Sequence, residues 1–137
     1  MIDDQHIFLD RLNHVFKQEA KSRLDTMRLL LCEIESDEAA EMTIKLLPPL
    51  QMEVHSLKGA ARSVELHDVE LLYQDAETLL INMRRRQCGF SVEMVAEFRK
   101  MIEYLDAVVV QSLAAPAGIS IISVQAALRA FSDALEG

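Results

Sequence analysis

A chain of 137 residues, half of them apolar, with a formal charge of −8 and a pI near 4.9, has the length of one domain and enough apolar mass for a real core. The acidity argues against nucleic acid as a partner, because holding a phosphate backbone needs a basic face. No apolar run is long enough to span a membrane, and the opening stretch MIDDQHIFLDRL carries acids where a secretory signal carries bases, so the expected setting is the cytosol.

Four glycines, three prolines, no tryptophan and apolar residues at three- and four-residue steps predict an all-α fold. The first helix is expected from Asp4 to Ile34, with Phe8, Leu12, Val15, Met27 and Leu31 facing inward and some of its length overhanging the bundle. The acidic stretch Glu35 to Glu38 breaks it, and Asp37 is placed to cap a short helix through Leu47. Pro48 and Pro49 are tolerable only in a first turn, so a new helix starts there and ends near Val64. Asp68 is read as the cap of a third helix reaching Arg86, whose run Arg84-Arg85-Arg86 puts positive charge at the carboxyl end. Cys88-Gly89 ends it, with the glycine supplying a left-handed residue. Ser91 caps a fourth helix to about Leu113, AAPAG is a break, and Ser120 or Ser123 opens a short fifth helix ending near Leu135. The expected architecture is an antiparallel up-down four-helix bundle over residues 1–113. Residues 114–137 add a C-terminal helix that either packs on the bundle or begins a linker.

The stretch His55-Ser56-Leu57-Lys58-Gly59-Ala60-Ala61-Arg62 carries the most chemistry. Spacing of three, four and seven places His55, Lys58, Gly59 and Arg62 on one polar strip, while Leu50, Val54, Leu57, Ala61 and Val64 form the apolar seam. His55 therefore sits beside the core and faces water. A phosphorylated group carries about −1.5 to −2 charges near neutral pH, and a lysine one turn away offsets them. Gly59 costs about 1 kcal/mol in a helix interior relative to alanine, and close approach by a partner protein would account for it. With Ser56 and Arg62 it forms the expected partner-binding face.

The second half of the site follows from hairpin geometry. If two helices meet in a turn centred near Leu66, residues equidistant from it lie level, so Glu77 mirrors His55 and Gln74 mirrors Lys58. A carboxylate accepting a hydrogen bond from one ring nitrogen of His55 fixes the tautomer and leaves the other nitrogen's lone pair free to attack phosphorus.

The segment HSLKGAARSVEL resembles the H-x-x-K-G signature of histidine-containing phosphotransfer (HPt) domains, most closely those of the chemotaxis kinase CheA. The resemblance runs through HDVELLYQDAETLLINMRRRQ and, more loosely, to about Val110. It implies that His55 is the phosphoacceptor, through Nε2, that a glutamate belongs at the position of Glu77, and that Lys58 meets the phosphoryl charge. Where the CheA pattern has a second histidine, this chain has Gln74. The expected partners are a response-regulator receiver domain and a histidine kinase catalytic domain, in cis or in trans, with no nucleic acid and no membrane. The chain is expected to be a monomer and a carrier rather than an enzyme.

No cofactor and no metal are expected on the chain itself. It has no Gly-rich nucleotide loop, so ATP and Mg²⁺ belong to partner domains. A metal or redox bundle would need Glu-x-x-His pairs, and the sequence contains none. A non-phosphorylated interaction or dimerisation module is the alternative, with His55 incidental. Cys32 and Cys88 are too few and too far apart for a disulfide framework or a metal pair, and are read as reduced thiols. His6, His14 and His67 carry no chemistry in this reading.

Overall fold

Each long stretch with apolar residues at helical spacing becomes a helix in the computed structural model, which describes residues 4–36 and 40–136. The helices are α1 (Asp4–Ser36), α2 (Ala40–Ser63), α3 (His67–Arg86), α4 (Val92–Leu105) and α5 (Ile121–Glu136), with no strand among the described residues. They form a helical bundle around one core. Leu24, Met27 and Leu31 of α1, Leu50, Val54, Leu57 and Ala61 of α2 and Leu72, Tyr73, Ala76 and Leu80 of α3 meet Phe98, Met101 and Leu105 of α4 there. The apolar seam of α2 lies inward as the spacing requires, with Val64 half-buried at its end. Val124 and Leu128 of α5 are buried in the same cluster, and Arg129 pairs with Asp75 of α3 at 3.1 Å.

The hairpin of α2 and α3 positions the site. After Ser63 the chain turns through Glu65, whose φ of 62° is left-handed. The Leu66 N–H donates to the Ala61 carbonyl at 2.9 Å and the Glu65 N–H to that of Arg62 at 3.1 Å. These two bonds satisfy carbonyls that the helix end would otherwise leave open. Leu66 tucks partly against the core and directs α3 back along α2.

Several expectations need correction. Pro48 and Pro49 lie inside α2, not in the first turn of a new helix. Each removes a backbone donor and should cost about 3 kcal/mol in a helix interior, yet Leu47 and Leu50 on either side are fully buried. Packing of that face outweighs the local penalty. The proposed cap Asp37 falls outside the described residues. Asp68 does not cap α3, whose N-cap is Leu66 without a side-chain bond. The turn above starts the helix two residues earlier and leaves Asp68 in its first turn. Gly89 is not the left-handed residue after α3. Gln87 takes that role at φ 50°, because Cys88, which packs partly on the core, donates to the Met83 carbonyl at 3.1 Å and sets the register.

On α1, Phe8 and Val15 point to solvent, 63% and 55% exposed, and Leu12 is only half-buried. The buried stripe begins at Phe16, and at 1.5 Å per residue the 33-residue α1 is about 50 Å long against about 36 Å for the 24-residue α2. Among the described residues the amino end of α1 buries no side chain before Phe16. Ser91 does cap α4, its hydroxyl accepting from the Met94 N–H at 3.1 Å. The α-helix stops at Leu105, however, and continues as a π-helical segment, Asp106–Val110, rather than to Leu113. Asp106 is drawn to Arg28 of α1 at 3.0 Å. Ser120, of the two candidates, starts α5, with its hydroxyl accepting from the Ser123 N–H.

Candidate functional site

His55 stands on the outer face of α2 with its side chain 67% exposed, while Glu77 reaches it from α3 with only 8% of its own side chain exposed. The Nδ1 to Oε2 distance is 2.6 Å. The other carboxylate oxygen of Glu77 accepts from Lys58 Nζ, also at 2.6 Å, and Lys58 donates again to Gln74 Oε1 at 3.0 Å. Gln74 in turn donates from Nε2 to the Thr78 hydroxyl at 3.2 Å, and that hydroxyl donates to the Gln74 carbonyl at 3.0 Å. The structure thus brings His55, Lys58, Gln74 and Glu77 into one chain of hydrogen bonds.

Burial pushes the Glu77 carboxyl up, but the bonds and charges of Lys58 and His55 together outweigh it and hold the group below the ordinary glutamate value. Glu77 is therefore ionised and can only accept. The proton on the short bond belongs to His55 Nδ1, and in the neutral ring this leaves the lone pair on the exposed Nε2.

Gly59 lies exposed one turn beyond His55, and a Cβ built there meets no atom within 4 Å. Nothing among the described residues requires a glycine at this position. Arg62 is exposed and pairs with Glu70 at 2.7 Å, and Ser56 is half-buried on the flank of the strip.

Sequence reasoning missed three contacts. Arg62 and Glu70 are equidistant from Leu66, so the mirror rule that points to Glu77 would have found them too. Thr78 carries no signal beyond its place one turn after Gln74. Arg84, read as a charge at a helix end, donates to Gln51 Oε1 at 2.6 Å, and the two line an open surface pocket with Pro48, Met52, His55 and Ile81. No group of three or more His, Cys, Asp or Glu among the described residues is placed to hold a metal ion.

The model of the Hpt domain family matches residues 11–108, most of the chain and all of the hairpin that carries this network. The chain belongs to the Hpt domain family. Hpt domains take part in histidine phosphotransfer within phosphorelays, meet receiver and kinase domains there, and are carriers rather than catalytic domains. No curated protein and no solved structure matches this Hpt domain. None of its helices among the described residues is long and apolar enough to cross a membrane.

Proposed function

We propose that His55 is the phosphoacceptor of this Hpt domain, taking a phosphoryl group from a histidine kinase core or a receiver aspartyl phosphate and passing it to a receiver domain. The observation that carries the reading is the 2.6 Å bond between His55 Nδ1 and Glu77 on a ring that is otherwise open to solvent. In the forward step the Nε2 lone pair attacks phosphorus and the P–O bond to the donor breaks, its electron pair leaving on the donor oxygen. Glu77 holds the ring and its tautomer, and Lys58 anchors Glu77 while adding positive charge near the phosphoryl group. Gln74 keeps Lys58 in place, where the CheA pattern uses a second histidine. ATP and Mg²⁺ are brought by the partner domains.

Gly59, Ser56 and Arg62 form the face that a receiver covers, since a glycine with open space above it admits a close backbone approach. The scaffold in this reading is an antiparallel four-helix arrangement of α1 to α4, with α5 laid on α3 and α4 as an addition. The nearest setting is a CheA-like or hybrid kinase system in the cytosol, with the domain acting as a monomer.

Labelling with radioactive phosphate from a CheA-type kinase core and ATP tests this. The label should be lost in acid, persist in base and be missing in His55→Gln, because phosphoramidates hydrolyse when protonated. Label retained in that variant would refute the assignment.

A further inference from the structure

We infer that Arg84 is a second phosphoryl-binding residue, contacting the oxygens of the group carried on His55 Nε2 from the side opposite Lys58. The inference rests on His55 being the phosphoacceptor. The cations already placed near the ring are engaged elsewhere. Lys58 is held by Glu77 and Gln74, and Arg62 by Glu70. Among the described residues Arg84 has no carboxylate partner. Its one side-chain bond is the 2.6 Å contact from NH1 to the neutral Gln51 carbonyl, which leaves the other N–H groups of the guanidinium unspent.

Helix geometry turns these groups toward the ring. Side chains lean toward the amino end of their helix, so Arg84 leans along α3 toward Ile81 and Glu77, and His55 leans along α2 toward Gln51. The two converge over one open pocket lined by His55, Glu77, Gln51 and Arg84. Glu77 occupies Nδ1, so the phosphoryl group is carried on Nε2 of a ring that borders this pocket, and the planar, bidentate donor on the pocket's other side is the group we assign to it. The same guanidinium would also suit the carboxylates of an acidic receiver pocket, so the test separates the two sources.

The full chain is treated with phosphoramidate, which needs no partner. The Nε2–P bond forms as the P–N bond of the reagent breaks and ammonia leaves with the bonding pair. Wild type, Arg84→Gln and Arg84→Lys are followed by ³¹P NMR through a pH titration and through hydrolysis. In Arg84→Gln the phosphoryl titration should move up by about one unit, as loss of a close opposite charge requires, and the phosphohistidine should decay several-fold faster. Arg84→Lys should recover most of both. Unchanged phosphoryl titration and lifetime in Arg84→Gln would overturn the inference, and the same result with slower transfer to a receiver would assign Arg84 to the partner's carboxylates instead. Wild type that takes no label on His55 would overturn the phosphoacceptor reading itself, which the variants do not enter.

Discussion

Glu77 is an acid held between two donors, and its two oxygens do different work. One accepts from His55 and sets the ring, while the other is fixed by Lys58. Replacing it in Glu77→Ala removes a charge-assisted bond of roughly 1.5–3 kcal/mol, so phosphorylation by a kinase core should slow by about one to two orders of magnitude with the fold intact. Ring ¹⁵N shifts should report a mixture of tautomers in place of the Nδ1–H form. Unchanged shifts and rate would reduce Glu77 to a structural ion-pair partner. The same residue links the site to stability. Its folded pKa lies below the unfolded value of roughly 4.3, so its contribution is complete above that pH and vanishes as the pH falls through the folded value. The acid limb of the unfolding curve should therefore be shallower in the variant.

At the scale of elements, α2 is the helix whose local preferences and tertiary demands disagree most. Two prolines occur in its interior, about two turns before His55, and the buried leucines around them keep it continuous. Pro48 is exposed, so Pro48→Ala restores a backbone donor without touching the core and should raise stability by about 1–3 kcal/mol. Urea unfolding measures this directly. A midpoint that does not move would mean that a helix boundary falls at Pro48, as the sequence pattern suggested. The turn after α2 poses a similar conflict, since Glu65 takes a left-handed backbone that glycine adopts more readily. There the pull of Leu66 onto the core decides the geometry.

At the scale of the whole molecule, the question is whether α5 belongs to the folding unit. Leu128 has no solvent exposure, and Val124 and Ser132 on the same face are buried as well. Leu128→Ala should cost about 2–5 kcal/mol and shift a single cooperative transition monitored by helix and tyrosine signals together. A separate early transition, or no shift, would mean that α5 is an appended helix. Leu128 lies on α5, which packs against α3 and α4, whereas His55 stands on the outer face of α2, so its labelling by phosphoramidate should persist at temperatures where the variant is folded.

The helical class, the seam of α2, the outward strip of His55, Lys58 and Gly59, and the cap at Ser91 were all legible in the sequence. Each depends on residues within a turn or two of one another, where spacing alone decides which face they share. Even the pairing of Glu77 with His55 could be read, because a tight hairpin converts distance along the chain into level across two helices. Tertiary structure decided the rest. It carried α2 through Pro48 and Pro49, left Phe8 and Val15 in water, moved the left-handed residue from Gly89 to Gln87 and brought Arg84 over to Gln51. In each of these, what a residue does depends on which partner lies across the bundle to bury or bond it, and that partner is far away in sequence.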